Sequence, residues 1–465
     1  MYGLVNRADG VLRIQSSEIF GMSRVLHRSS RSAPPIVVEG RGCWLIDSDG
    51  KSYLDASGGA AVSCIGHGDP RVIEAIARQA AKVEYSHNSF FTSLPAEELA
   101  DLLMSHSPAP LSKVYFISDG SEAVETALKL ARQYHVERGE PERSVVISRR
   151  QSYHGNTLGA LAVGGNMARR TDYAPLLIRV EHVSPCFDYR GRMQDETPEK
   201  YADRLAVELE EAIERIGSGS VMAFIAETVV GATAGAVPPV PGYFRKIKEI
   251  CEHHGILLIL DEVMCGTGRT GTFHAFSQEG IVPDILTNAK GLGGGYMPIG
   301  AVYLGSKIDE VIARGSGAFK HGHTYNGHPL ACAAALAVQK IVIGDALVER
   351  AVSQGEKLAA LLRDRFGQHP HIGDIRGRGL IQAIELVADR SDSSPFDPKL
   401  GLAGRVKAEA MKEGLCVYPS SGTIDGTRGD HVLLAPPFTI SDDELATAVD
   451  RLATVVDRCL GSVHA

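Results

Sequence analysis

The amino-acid sequence predicts an α/β fold, in which a large domain is built on a mostly parallel sheet between helices and a smaller α+β domain follows. The chain has 465 residues, of which 44% are apolar and 22% charged, as in globular proteins of two or three domains. Short apolar runs alternate with helical patterns through most of the chain. From about Ala331 an alanine-rich helix leads into a helical and mixed region, which predicts the second domain.

Six apolar runs are typical of strands that are buried on both faces, which is the pattern of a parallel sheet. They cover residues 114–118, 144–148, 222–227, 256–262, 284–290 and 300–305. After the first run, Val124, Leu128 and Ala131 recur on one face of a helix. Before the fourth run, Pro241 marks the start and Gly255 the end of another helix. Strands joined by such helices predict a sheet that is covered on both sides.

Charge and composition exclude several classes of function. Lysine and arginine number 48 against 56 acidic residues, a formal charge of −8, so we expect no binding to nucleic acid. The most apolar stretch, 221–240, is interrupted by Glu227, glycines and prolines, so we expect no membrane span. The eight cysteines form no C-x-x-C pair. This argues against a metal site and for reduced thiols, and the start of the chain lacks a secretory signal, so the expected location is the cytoplasm.

Two charged residues stand at the ends of predicted strands. Run 256–262 ends in Asp261 and Glu262, and run 284–290 ends in Lys290 before the sequence GLGGG. In an open α/β sheet, ligands bind outside the carboxyl ends of the strands. Each residue alone is also typical of a solvated strand end. Together they predict pyridoxal 5′-phosphate (PLP), which needs a lysine for covalent attachment and an acid on its pyridine nitrogen.

A turn between a strand and a helix offers a site for the phosphate of this cofactor. Asp119-Gly120-Ser121 joins the first strand to its helix, where free backbone N–H groups and the helix dipole bind anions. Gly120 permits close approach, and Ser121 adds a hydroxyl. An ordinary helix cap would have the same sequence. Tyr153 and His154 follow the second run, where an aromatic ring either stacks on the cofactor or packs as a half-buried loop residue.

A rival prediction comes from residues 266–271, GTGRTG, which fit the dinucleotide-binding pattern G-x-G-x-x-G. This pattern would make the protein an NAD-dependent dehydrogenase. However, Asp-Glu-Val-Met-Cys separates the apolar strand from these glycines, and only a weak helical pattern follows them. The context therefore favours PLP over a dinucleotide.

From about Val37 to Ile440 the sequence closely resembles the class III PLP-dependent aminotransferases, and most closely their ω-amino acid:pyruvate and amine transaminase branch. The resemblance rests on motifs in one order: DSDGKSYLDASGGAAVSCIGHGDPRVIEAI, VYFISDGSEAVETALKLAR, SYHGNTLGA, LILDEVMCGTGRTGTFHAFSQEGIVPDILTNAKGLGGGYMPIGAV, HGHTYNGHPLACAAALA, DIRGRGLIQAIEL and DHVLLAPPFTIS. It implies a fold-type-I enzyme with a seven-stranded type of sheet. The implied domains are a large PLP-binding domain (66–334), a small C-terminal domain (335–465) and an N-terminal segment (1–65) that joins the small domain.

The resemblance also implies roles for individual residues. Lys290 matches the Schiff-base lysine and Asp261 the partner of the pyridinium nitrogen, so these two are the expected catalytic residues. Seven further positions match cofactor-binding ones: Gly120 and Ser121 at the phosphate, Tyr153 and Val263 on the two faces of the ring, His154 and Glu227 beside it, and Thr324, which reaches the phosphate from the neighbouring subunit. The expected assembly is a homodimer, or a tetramer, with shared active sites. No metal is expected.

Three positions depart from the family pattern. Asp119 stands where Ser or Thr is frequent, and a carboxylate beside a phosphate is unfavourable unless it points away, for instance to cap the helix. Val230 replaces a frequent Gln that contacts the ring hydroxyl. Ala232 replaces the Glu of the ornithine and γ-aminobutyrate branches, which makes those two substrates less expected.

The implied reaction is the transfer of an amino group from an amine or ω-amino acid donor to a keto acid, with pyruvate expected, by a ping-pong mechanism through pyridoxamine phosphate. Racemases, epimerases and decarboxylases share most of these motifs and stay open as alternatives.

The carboxylate of the acceptor needs a cation. Arg376 matches an arginine often used so, and Arg428 lies in a flexible type of loop; a structural ion pair and an exposed loop charge are the respective alternatives. Tyr85, Phe90 and Phe91 line the substrate pocket or pack in the core.

Overall fold

The computed structural model describes residues 23–29 and 33–461. The rest of the predicted N-terminal segment, residues 1–22 and 30–32, lies outside the described residues. The strands in chain order are β1 (Val37–Arg41), β2 (Trp44–Asp47), β3 (Ser52–Asp55), β4 (Leu111–Ile117), β5 (Val145–Arg149), β6 (Val180–Val183), β7 (Val221–Glu227), β8 (Leu257–Asp261), β9 (Ile285–Asn288), β10 (Gly300–Gly305), β11 (Ile372–Arg378), β12 (Ile381–Leu386), β13 (Leu415–Cys416), β14 (Tyr418–Ser421) and β15 (Asp430–Leu434).

The α-helices of the described residues cover Gly58–Ala61, Pro70–Ala80, Leu94–Ser105, Gly120–Glu137, Leu158–Val163, Met167–Arg170, Asp188–Gly191, Pro198–Ile216, Tyr243–His253, Ser306–Arg314, Pro329–Gly344, Leu347–Phe366, Leu402–Lys412 and Asp442–Gly461. Short 3-10 helices cover Thr171–Leu176, Ser218–Ser220, Ala275–Glu279, Lys290–Leu292 and Pro398–Leu400.

The central sheet has seven strands in the order β4-β10-β9-β8-β7-β5-β6. Strand β10 is antiparallel to both of its neighbours, and the other paired strands are parallel. The predicted α/β class with a mostly parallel sheet is therefore confirmed. All six apolar runs contain strands, but β6 was not predicted. The predicted strand 284–290 is too long, because β9 ends at Asn288 and a 3-10 turn begins at Lys290.

Helices cover this sheet on both faces, which explains why its strands are apolar throughout. On one side, Leu205, Leu209 and Ile213 of helix Pro198–Ile216 recur every fourth residue and are buried in the same apolar core as Phe224 of β7. On the other side, helix Gly120–Glu137 buries the predicted face of Val124, Leu128 and Ala131. The sheet is thus held from both sides, and its carboxyl edge is left for a site.

Two four-stranded sheets, β1-β2-β3-β13 and β11-β12-β15-β14, lie outside the central one. One apolar core joins residues of the first, such as Leu54, to residues of the second, such as Leu434. Helix Pro329–Gly344 packs in this core through Val338 and in a core of the central sheet through Ala335. The domain limits at 65/66 and 334/335 stay a prediction, because this helix serves both sides.

The glycine-rich segment 266–271 is not a dinucleotide loop. Turns follow it, and the next helical residues in the chain are the short 3-10 helix Ala275–Glu279. The buried guanidinium of Arg269 donates to the carbonyls of Leu380 (2.9 Å) and Pro436 (2.6 Å) and lies over the ring of Phe438. The segment therefore connects the central sheet to the C-terminal region, and no helix N-terminus is available there for a pyrophosphate.

All eight cysteines are free thiols, and seven of them are buried. Within the described residues, no cluster of three His, Cys, Asp or Glu side chains could hold a metal ion. No single helix in that part of the chain is long and apolar enough to cross a membrane. The helices Pro329–Gly344 and Leu347–Phe366 pass this test of length and composition only as a pair, bent by 66° at their junction.

Candidate active site

A cavity of about 880 Å³ opens at the carboxyl ends of the parallel strands. Neighbouring strands β7 and β8 place Glu227 directly opposite Asp261 in the register, and β9 places Thr287 on the other side of Asp261. Residues of the loops after β4, β5 and β9 also line the cavity. Of the residues predicted from the sequence, the cavity lining brings together Gly120, Ser121, Tyr153, His154, Glu227, Asp261, Val263 and Lys290.

Lys290 begins the 3-10 turn after β9, and its backbone is in the left-handed region at φ 43°, which is rare for a residue with a side chain. Its carbonyl accepts hydrogen bonds from the N–H groups of Gly293 and Gly294. The buried amide of Gln339 donates to the next two carbonyls, those of Gly291 and Leu292, at 2.9 Å each. The turn therefore holds the lysine at one position in the cavity wall.

Burial lowers the pKa of the Lys290 amine, and the carboxylates of Asp261 and Glu227 oppose this shift. A lysine whose pKa is lowered carries more of the neutral amine at neutral pH. The neutral amine is the form that attacks a carbonyl or accepts a proton.

Asp261 is 4% exposed and its two oxygens have different partners. Oδ2 lies 2.7 Å from Nδ1 of His154, and Oδ1 accepts a hydrogen bond from the N–H of Val263. The His154 side chain is fully buried, and its other nitrogen, Nε2, has no hydrogen-bond partner among the described residues. This pair fixes the carboxylate at the cavity floor.

Glu227 is a second buried acid, and its partners are backbone groups. Oε1 accepts from the N–H of Tyr153 at 3.0 Å and Oε2 from the N–H of Gly231 at 2.8 Å. Burial raises the pKa of this carboxyl, with the charge of Asp261 adding to the shift. Glu227 thus ties the loop of Tyr153 to the end of β7.

The turn after β4 lies in the cavity wall, where the sequence predicts an anion site. Helix Gly120–Glu137 begins at the cavity, and the carboxylate of Asp119 caps it by accepting the N–H of Glu122 at 2.9 Å. The departure at Asp119 is therefore accommodated by capping. A side chain at Gly155 would collide with Ser121 at 2.7 Å, so the glycine lets the Tyr153 loop lie against this turn.

These features fit PLP. A methyl group at Gly120 would lie 2.7 Å from Cγ1 of Val263, so the helix start and the apolar side chain of Val263 are in close contact. Val263 and Tyr153 both line the cavity, as expected for residues on the two faces of a ring. A lysine, a buried acid and a helix N-terminus, the groups that PLP needs for its attachment, its pyridine nitrogen and its phosphate, therefore lie in one cavity.

The structure does not bring Thr324 into the cavity of its own chain. Thr324 is exposed, and its carbonyl accepts a hydrogen bond from the hydroxyl of Tyr85 at 3.0 Å. Phe90 and Phe91 are 77% and 68% exposed and line a separate groove with Tyr85. These three aromatic residues therefore neither line the cavity nor pack in the core of the described chain.

The two predicted carboxylate-binding arginines also lie elsewhere. Arg376 pairs with the buried Glu385 at 2.7 Å and with Asp374 at 2.9 Å, and it donates to the carbonyl of Gly235. Its side chain is only 7% exposed, so its donors are already used. Arg428 is exposed and pairs with Asp425 in the same loop at 2.7 Å.

The residues of the cavity wall that sequence reasoning missed include Arg28, Arg169 and Tyr418. No motif surrounds Arg28, and the only cue for Arg169 was its place soon after the tyrosine loop. The structure also shows where the two other departures from the family pattern, Val230 and Ala232, lie. Val230 packs into an apolar cluster away from the cavity, whereas Ala232 lines it.

Comparison with known proteins gives a consistent result. The family model "Aminotransferase class-III" matches residues 25–456. An uncharacterized aminotransferase of Schizosaccharomyces pombe is 46% identical over 433 residues, which is 93% of this chain and 94% of that protein. An (S)-enantioselective omega-transaminase from Thermomicrobium roseum superposes with a TM-score of 0.89 at 36% identity, over 96% of this chain and 98% of that one.

The omega transaminase of Pseudomonas jessenii, whose structure was solved in complex with PMP, superposes with a TM-score of 0.90 at 33% identity, over 97% of this chain and 99% of that one. The predicted family and fold type are therefore confirmed. The chain belongs to the class III aminotransferases, PLP-dependent enzymes that transfer amino groups between small-molecule amines and keto acids.

Proposed function

We propose that this protein transfers an amino group from an amine or ω-amino acid donor to a keto acid, with pyruvate as the acceptor, in two half-reactions of a ping-pong cycle. The observation that carries the proposal is the single cavity that contains both Lys290 and Asp261, each fixed by contacts within the chain. The similarity to omega-transaminases supports the donor class.

When bound, PLP would supply an electron sink for the charge on the donor carbon and a carrier for the amino group. Lys290 attaches the cofactor and then, as a neutral amine, moves the proton of the donor carbon. Asp261, held by His154, keeps a negative charge at the ring nitrogen. Gly120 and Ser121 would bind the phosphate at the helix N-terminus, and Tyr153 and Val263 would hold the ring.

We also propose that the protein is a homodimer in which Thr324 completes the phosphate site of the partner. Thr324 is exposed and stands outside the cavity of its own chain. Beside it lies a group of exposed apolar residues, Tyr325, Phe90, Phe91 and Leu94, with exposed fractions of 59, 77, 68 and 70%. Monomeric proteins rarely expose a contiguous group of this kind, and a second copy of the chain would cover it.

The test is an absorption titration of the PLP-reconstituted enzyme with amines and no keto acid. The donors are β-alanine, taurine, 1-phenylethylamine, L-alanine and ornithine, each added separately. We expect the band of the lysine-attached cofactor to bleach with one donor class and to return when pyruvate is added. A band that persists with every donor contradicts the proposal and favours a racemase, an epimerase or a decarboxylase. A racemase would never accumulate the aminated cofactor.

A further inference from the structure

We propose that Arg169 and Arg28 form the carboxylate-recognition site of this cavity and bind the carboxylate of the keto acid acceptor. The inference rests on the proposed function and names the residues that select its acceptor. The charged residues of the cavity wall divide into groups with a partner and groups without one.

The acidic groups of the wall are all engaged. Asp119 caps a helix, Glu227 accepts two backbone N–H groups and Asp261 pairs with His154. Among the cations, Lys290 is the predicted attachment point. Two guanidinium groups remain, and within residues 23–29 and 33–461 neither forms an ion pair.

Both arginines line the same cavity as Tyr153, and Arg169 stacks on its ring. The guanidinium carbon of Arg169 lies 4.9 Å from the centre of the Tyr153 ring. The ring itself is anchored, because Asn156 donates to its hydroxyl at 3.0 Å and Glu227 accepts its backbone N–H. Burial raises the pKa of the Tyr153 hydroxyl, and the positive charges of Arg169 and Arg28 oppose that shift.

Stacking on an aromatic ring leaves the N–H edge of a guanidinium free. That edge matches the two oxygens of a carboxylate, and the fixed ring orients it. The phosphate of the cofactor already has a separate site at the start of helix Gly120–Glu137. Since Arg376 and Arg428 are paired elsewhere, Arg169 and Arg28 are the arginines of the described chain that line the cavity.

The first experiment measures binding without turnover. The PLP-loaded enzyme is titrated with propionate and with its neutral isostere propionamide, and the shift of the cofactor absorption band is followed. We expect Arg169→Gln to weaken propionate binding about tenfold or more and to leave propionamide binding unchanged. Arg28→Gln acts in the same direction. The controls are Arg179→Gln and Arg24→Gln, which change exposed arginines outside the cavity wall.

The second experiment separates the half-reactions. We expect Arg169→Gln to raise the pyruvate concentration for half-maximal rate about tenfold or more and to slow the reaction with 1-phenylethylamine much less. An equal loss with both substrates would assign Arg169 to positioning Tyr153 and overturn the inference. Loss of bound cofactor, with propionate selectivity intact, would assign the pair to the phosphate and also overturn it.

The two proposals can fail separately. One outcome is that the wild-type enzyme exchanges no amino group with any keto acid while Arg169→Gln still weakens propionate binding. In that case the carboxylate site stands and the proposed reaction is wrong. If transamination is found and propionate binds equally well to wild type and variant, the reaction stands and the carboxylate site falls.

Discussion

Asp261 shows how one buried charge is set up by its immediate contacts. Its oxygens are fixed by His154 at 2.7 Å and by the N–H of Val263 at 2.9 Å. A carboxylate held in this way pays no reorganisation cost when positive charge has to be kept on a ring nitrogen during the reaction, and such preorganised groups are often the largest single catalytic contribution.

Asp261→Asn should therefore lower kcat/KM about a hundredfold, which corresponds to a loss of about 3 kcal/mol of transition-state stabilisation. The amide keeps the shape and one hydrogen bond but not the charge. Steady-state kinetics of the PLP-loaded variant measure the loss, and absorption confirms its cofactor content. Asp309→Asn, which removes a half-buried carboxylate paired with Lys113 outside the cavity wall, is the control. Near-normal activity of Asp261→Asn would contradict its role.

A single site residue could be predicted from the sequence where a local sequence pattern marks it, and not where no pattern does. Lys290 and Asp261 stand directly after apolar runs, so the rule for strand ends could find them. Arg376 has a motif, but its partner Glu385 lies on the adjacent strand β12 and is visible only in the fold. Arg28 reaches the cavity from a segment with no pattern of its own, and no spacing rule would have selected it.

The site depends on how closely a helix start and a strand end approach each other. Helix Gly120–Glu137 begins where a Cβ atom would lie 2.7 Å from Cγ1 and 3.1 Å from Cγ2 of Val263. Contacts below 3.0 Å between a backbone-linked carbon and a branched side chain force one of the two to move. The spacing of these two elements therefore sets the width of the cofactor site.

Gly120→Ala should weaken cofactor binding by about tenfold or more, because either the helix start or Val263 has to shift. The compensating change is Val263→Ala, which removes the two methyl groups in conflict. We expect the double variant to bind PLP more tightly than Gly120→Ala alone, as measured by equilibrium dialysis of the cofactor. Additive losses in the two changes would show that the contact does not control the site.

Elements were also where sequence reasoning reached its limit. Alternation of apolar strands and helices predicted the central sheet because burial on both faces leaves a direct mark on composition. Strand β6 has only one neighbour, β5, and half-buried residues, so it carries no such mark. Gln339 was equally hidden, since a polar residue within an apolar helix shows its purpose only when the carbonyls of Gly291 and Leu292 lie opposite it.

The stability of the whole molecule should depend on buried histidines. Burial lowers the pKa of His182 to about 4 and the pKa values of His274 and His431 to about 3, from 6.5. The unfolded chain therefore binds more protons than the folded one below pH 6.5, and stability is lost as pH falls from 6.5 towards 4. Three buried carboxyls oppose this, because burial raises the pKa of Glu262 to about 7 and also raises the pKa values of Glu227 and Asp430.

We expect the Tm of the protein to fall between pH 7 and pH 5. Burial also lowers the pKa of His321 to about 4 and the pKa values of His135 and His328, so the lowered histidines outnumber the raised carboxyls. His274→Gln should make this fall shallower, because the amide can still contact Ser107 but cannot become charged. Each such group contributes up to about 1.4 kcal/mol per pH unit. Thermal unfolding across that pH range checks the slope. A Tm that stays constant or rises on acidification would contradict the assignment.

Thr324 offers a test of the proposed assembly into a dimer. If Thr324 serves the cavity of a second copy, two inactive variants should restore each other. Lys290→Ala removes the attachment point of its own cavity. Thr324→Glu places a carboxylate against the phosphate of the neighbouring cavity, and folding should tolerate it because Thr324 is exposed. In a mixed dimer, one cavity then carries both defects and the other carries none.

Each variant alone should be inactive, and an equal mixture that is unfolded and refolded with PLP should recover about a quarter of the wild-type sites, since about half of randomly formed dimers are mixed. Amine-dependent bleaching of the cofactor band counts the restored sites. Mixing without exchange of subunits, which should recover nothing, is the control. If refolded mixtures also recover nothing while both variants form dimers, Thr324 acts within its own chain, and the shared site is wrong.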